Sequence, residues 1–225
     1  MKSVWRHLPL LLSTLMLSIP LARAQSAIDF GIGGGTAFNS PSGFGIDNLD
    51  SPNNAFGPCV PGSRDPYCEA TPGLHGFFLG FGGDIMFTQR FGAGAEVNFQ
   101  PVHQGYGPLE SRQTFFDFNG IYQPLVRKRA IVQLQGGIGS STTSFIFQQN
   151  SCVGAAVVCN NYSSSLGSTT HFQFHVGAGL QIPITEHFFV RPQFDFHFVP
   201  NFTEQFGRST VPAFTVWVGY HFGER

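Results

Sequence analysis

The stretch HFQFHVGAGLQIP, His171–Pro183, decides how this chain is to be read. Phe172, Phe174, Val176, Ala178, Leu180 and Ile182 fall on one parity, and His171, Gln173, His175, Gly177, Gly179 and Gln181 on the other. Alternation at period two is the pattern of a β-strand, whose successive side chains point to opposite faces. Three explanations compete: a strand on a soluble core, a metal site on the His-x-x-x-His pair, or a strand whose apolar side faces lipid.

The same alternation recurs seven more times. Ile28, Phe30 and Ile32 oppose Asp29, Gly31 and Gly33, and Phe77, Leu79, Phe81, Ile85 and Phe87 oppose Gly80, Gly82, Asp84 and Met86. Ala93, Ala95, Val97 and Phe99 oppose Gly94, Glu96, Asn98 and Gln100, while Phe116, Phe118 and Tyr122 oppose Asp117, Asn119 and Gln123. Val132, Leu134 and Ile138 then oppose Gln133, Gln135 and Gly137. After the quoted stretch, Val190, Phe194, Phe196 and Phe198 oppose Arg191, Gln193, Asp195 and His197. The last set is Phe214, Val216, Val218, Tyr220 and Phe222 against Ala213, Thr215, Trp217, Gly219 and His221.

Connections between these eight segments alternate in length. Thr88–Arg90, Leu125–Arg129 and Thr185–His187 are short, whereas Ser40–Gly73, Gln104–Glu110, Gln148–Ser168 and Asn201–Thr210 are rich in Gly, Pro, Ser and Asn and read as loops. Long and short connections at opposite ends describe an antiparallel up-and-down meander.

Which parity meets water follows from the charges. Charged residues make up 11% of the 225-residue chain, and lysine occurs only at Lys2 and Lys128. An ordinary soluble domain carries about 25%, and its outer face needs that charge for solubility. Phenylalanine, by contrast, occurs 26 times. The apolar parity is free of charge in its central part, with Arg112 only at a loop end, and the deeper charges lie on the other parity. That other parity is mostly Gly, Gln, Asn and His, groups that suit the crowded lumen of an eight-stranded barrel. The phenylalanine side therefore faces hydrocarbon, and Phe87, Phe91, Tyr122, Phe188, Phe189, Tyr220 and Phe222 are expected to form an interfacial aromatic girdle.

The ends and cysteines agree with export. Lys2 and Arg6, the apolar run Leu8–Leu17 and Ala22-Arg23-Ala24 read as a signal peptide over residues 1–24, leaving a barrel domain over 25–225. Cys59, Cys68, Cys152 and Cys159 are expected to form disulfides, with the two local pairings preferred over crossing ones. A net charge of −1 gives no reason to expect a nucleic-acid partner.

At this point the chain resembles the small outer-membrane β-barrel proteins of OmpA-like transmembrane-domain type found in Gram-negative bacteria. The resemblance covers Ala27 to Phe222 and rests on alternation, strand count and loop asymmetry. It implies both termini in the periplasm, four longer extracellular loops, contact with outer-membrane lipid and lipopolysaccharide, and insertion by the barrel-assembly machinery. It also implies a monomer. The family usually ends on an aromatic, whereas Gly223-Glu224-Arg225 follow Phe222 here.

Asp29, Asp84, Glu96, Asp117, Arg191, Asp195, His175, His197 and His221 share the enclosed parity. Glu96 and Arg191 belong to opposite walls at similar heights, and since buried charges must be paired, two readings stand side by side: Arg191 as the hub of a carboxylate network that plugs the lumen, or Arg191 pairing locally and governing nothing. With Glu186 at the centre of its turn, His175 is expected to face His197. Without a further ligand cluster the pair reads as hydrogen-bonded imidazoles, and no metal or other cofactor is expected. Some barrels of this size are lipid-A-modifying hydrolases, but no His-x-Ser occurs here and the strand histidines point inward, so no enzyme is expected. The expected role is structural or interactive, with a ligand met through loops 40–73 and 148–168. A narrow porin-like channel is the alternative.

Overall fold

The structure is a computed structural model that describes residues 27–40, 73–106, 109–153, 158–204 and 206–223. The chain forms β1 (Ala27–Ala37), β2 (Phe77–Met86), β3 (Phe91–Phe99), β4 (Gln104–Tyr106), β5 (Leu109–Arg127), β6 (Ala130–Val153), β7 (Val158–Pro183), β8 (Phe188–Phe198) and β9 (Thr210–Phe222). All pair antiparallel in the order β3-β2-β1-β9-β8-β7-β6-β5-β4, and β3 also pairs β5, which closes the sheet. The short β4 pairs the same neighbour as β3, so it prolongs that stave and the barrel has eight walls. Closure leaves no sheet edge within the bilayer, where an unpaired backbone group would cost several kcal/mol.

The exposed face is the phenylalanine parity. Phe30, Phe81, Phe118, Phe174, Phe196 and Phe214 are exposed, while Asp29, Glu96, Asp117, Gln173, Arg191 and Thr215 are buried. The two sides are thus inverted relative to a water-soluble barrel. Direct cross-strand partners share a face, so register preserves the division: Phe118 lies opposite Ala95 and Ile138, and Asp117 opposite Glu96 and Gly139.

Four expectations need correction. The segment 148–168 is not a loop: β6 and β7 continue through it in register to Val153 opposite Val158. Beyond Phe147 and Phe174 this hairpin outruns its ladders with β5 and β8. Its polar composition concealed it, because a ribbon outside the membrane has no need for an apolar side. Similarly, the expected 104–110 connection is mostly the β4/β5 hairpin, with Gln104 opposite Ser111.

Phe189 is the third correction. It is buried inside the barrel, whereas Phe87, Phe91, Phe188 and Phe222 of the expected girdle are exposed. The girdle also pairs across strands, Phe91 on Tyr122 at 5.1 Å and Phe188 on Tyr220 at 5.1 Å between ring centroids.

Fourth, the lumen is not polar throughout. At the long-loop end Phe78, Phe115, Val199, Phe202, Phe206 and Val211 belong to one buried cluster. A single 3-10 turn, Phe202–Glu204, turns Phe202 down onto it, and Phe202 meets Phe206 at 4.6 Å. At the short-turn end Ala27, Met86 and Ile121 form a smaller apolar group. The polar core lies between these two.

Candidate functional site

Four of the luminal carboxylates stand opposite a glycine on a neighbouring strand: Asp84 opposite Gly94, Glu96 opposite Gly82, Asp117 opposite Gly139 and Asp195 opposite Gly177. The reason is steric. A Cβ at Gly94 would come within 2.3 Å of Asp84 Oδ1, and one at Gly177 within 2.0 Å of Asp195 Oδ1. Eight strands leave a bore that side chains just fill, so each bulky acid claims the space of two positions.

Arg191 of β8 reaches across this bore. Its Nη1 donates to Asp84 Oδ2 at 2.6 Å and its Nη2 to Glu96 Oε1 at 3.1 Å. Trp217, its register partner on β9, lies 5.6 Å from the guanidinium, close enough for a cation–π contact. The structure therefore brings Asp84, Glu96 and Arg191 together and joins β2 and β3 to β8 through the centre.

A second group sits above. His175 and His197 are register partners, and their rings stack at 4.7 Å. His175 Nε2 lies 2.9 Å from Asp195 Oδ1 and its Nδ1 lies 3.0 Å from Asn119 Oδ1. His197 approaches Asp117 Oδ2 at 3.7 Å on one side and stacks on Phe115 of the apolar cap at 4.6 Å on the other. The two groups are linked by amides: Gln193 Nε2 donates to Glu96 Oε2 at 3.0 Å and to Asp195 Oδ2 at 3.0 Å. Gln135 adds longer bonds to the same two acids. A third pair, His221 and Asp29, joins β9 to β1 nearer the short turns, where Asp29 and His221 are register partners.

Sequence reasoning missed several members. Trp217 and the glutamines Gln135, Gln173 and Gln193 were visible only as polar-parity residues. Placing Trp217 beside Arg191 needs the β8/β9 register, which the intervening 201–210 segment hides. Of the cysteines, Cys152 and Cys159 are register partners in the β6/β7 hairpin; Cys59 and Cys68 lie outside the described residues. Among the described residues no group of three or more His, Cys, Asp or Glu is arranged to hold a metal.

The barrel is closed, with an apolar exterior and a salt-bridged polar interior, and residues 10–224 match the family model described as "Outer membrane protein beta-barrel domain". The chain belongs to that family. Among solved structures, Neisserial surface protein A is similar with a TM-score of 0.51 at 8% identity, covering 88% of this chain and 98% of that one. The attachment invasion locus protein Ail of Yersinia pestis gives 0.48 at 11%, covering 88% and 99%. OprG of Pseudomonas aeruginosa gives 0.46 at 18%, covering 89% and 99%. Comparison with curated protein sequences finds no match. The protein is thus an outer-membrane β-barrel.

Proposed function

We propose that this protein is a closed outer-membrane scaffold with a structural or surface-interaction role, its lumen plugged and its recognition carried by the long-loop end. The single observation that supports this reading is the Arg191–Asp84–Glu96 cluster lying across the bore beneath the Phe115/Phe202/Phe206 cap. Charged side chains spanning an eight-stranded bore leave no continuous aqueous path. Both termini face the periplasm and the β6/β7 hairpin faces outward, where it meets lipopolysaccharide and an extracellular ligand. Cys152–Cys159 and Cys59–Cys68 disulfides brace the two longest connections. Insertion by the barrel-assembly machinery, a monomeric state and the absence of enzymatic activity complete the reading.

Recordings in planar bilayers test the plug. The parent protein is expected to be silent, and Arg191→Met combined with Phe202→Ala to pass current. Steady ohmic conductance by the parent would overturn the closed-scaffold reading in favour of a narrow channel.

A further inference from the structure

At the short-turn end the barrel opens into a concavity of about 940 Å³ between the β5/β6 and β7/β8 turns. That is within the roughly 300–1,000 Å³ range of small-molecule sites. Two features give it chemistry. Arg127 and Lys128 of the β5/β6 turn stand on its rim, while Gln181 and His221 belong to its floor.

The floor carries two buried atoms without a hydrogen-bond partner, Gln181 Oε1 and His221 Nε2. Both residues are more than nine-tenths buried. His221 Nδ1 faces Asp29 Oδ1. In the neutral tautomer that donates Nδ1–H to this carboxylate, Nε2 is an acceptor. Gln181 Nε2 is directed to the other oxygen of Asp29 at 3.4 Å, which leaves its carbonyl without a partner. The floor residues thus carry two unpartnered acceptors, and the rim carries two cations beside Glu186 and His187 of the β7/β8 turn.

The wall of this concavity also crosses the barrel rim. Phe189 lies on the enclosed side, whereas Phe188 and Ile184 are exposed on the lipid-facing side, and all three line it. An occupant complementary to every part has acyl chains outside, a phosphodiester at the rim and a head group with O–H or N–H donors inside. Phosphate oxygens accept charge-assisted bonds from Arg and Lys, and basic pockets at a membrane surface hold lipid head groups in this way. We propose that the short-turn mouth binds one phospholipid whose head group carries hydrogen-bond donors, with its phosphate on Arg127 and Lys128 and its donors on Gln181 Oε1 and His221 Nε2. In the orientation proposed above, the site opens at the periplasmic leaflet.

Native mass spectrometry of the detergent-solubilised barrel, offered phosphatidylglycerol, phosphatidylethanolamine or phosphatidylcholine of equal chain length, tests this. The glycerol and ethanolamine lipids are expected to be retained about tenfold more than phosphatidylcholine, a gap of about 1.4 kcal/mol, because the choline head has no donor. Arg127→Gln with Lys128→Gln should lower retention of all three lipids, which share the phosphodiester, and Gln181→Met should narrow the preference over phosphatidylcholine. Heat-modifiable gel mobility establishes that each variant is folded. Arg90→Gln, on a short turn outside the concavity, should leave retention unchanged. Equal retention of the three lipids by the parent, or parent-like retention by the rim double variant, would overturn the site. Displacement of the lipid by millimolar glycerol phosphate would overturn the lipid assignment and make the occupant a free phosphate ester.

Discussion

Replacing Arg191 by Met removes, among the described residues, the only guanidinium in contact with Asp84 and Glu96 and keeps most of its apolar volume. Arg191 is 4% exposed, and both acids are equally enclosed. The loss therefore leaves two buried carboxylates near one another with neutral amide donors, Gln133 on Asp84 and Gln193 on Glu96, and no positive charge from Arg191. Breaking a buried pair costs about 3–5 kcal/mol, most of it from the stranded partner and little from the lost attraction itself. The Trp217 contact, about 0.5–2 kcal/mol for a cation over an aromatic face, disappears with it. At about 1.4 kcal/mol per tenfold, the folded-to-unfolded ratio should fall by at least a hundredfold.

If that reasoning holds, neutralising the acids should restore stability. Arg191→Met with Asp84→Asn and Glu96→Gln removes all three charges, and replacing a whole buried ionic group by neutral residues is often nearly neutral. Urea unfolding in lipid vesicles, followed by the fluorescence of Trp217, measures both variants. Only Trp5 and Trp217 occur in the chain, so a Trp5→Phe background isolates the reporter. A single variant within about 1 kcal/mol of the parent, or a triple variant less stable than the single one, would refute this account of the buried charges.

Gly177→Ala places a methyl 2.0 Å from Asp195 Oδ1, which also meets His175 and Gln193, and should lower the urea midpoint by the equivalent of about 1–3 kcal/mol. Phe118→Arg puts a charge on a lipid-facing residue 58% exposed and should cost about 2–4 kcal/mol if it lies at mid-membrane, read as a smaller heat-modifiable fraction after refolding. Parent-like refolding would refute the assignment of the lipid face. Phe202→Ala empties a fully buried position in the apolar cap; up to about 3–5 kcal/mol is expected if the turn cannot collapse. Hydrogen exchange at Val199 and Phe206 should then accelerate while β1 and β2 amides stay protected.

The wall strands were legible because the bilayer imposes a strict rule on every second residue, and the His175/His197 register could be counted from a three-residue turn. Legibility ended where that rule ceases to act. Past the lipid, the β6/β7 hairpin has Ser, Asn and Gln on both sides, and composition alone made it a loop. Inside the lumen, Phe78, Phe115 and Phe189 each adjoin a lipid-facing phenylalanine, so the pairs Phe77-Phe78, Phe115-Phe116 and Phe188-Phe189 blur the alternation locally. Aromatic residues are permitted on both sides of a wall, whereas charges are not. For that reason the positions of the charges were the surer guide.

The route of the Arg191 ion pairs has a consequence for the order of assembly. Arg191 lies on β8 and its partners on β2 and β3, separated along one side by the junction of the first and last strands. No local hairpin can form these bonds. They exist only once the cylinder has come round on itself, so they are expected to act as a latch that slows unfolding more than it speeds insertion, as contacts formed after a rate-limiting step do.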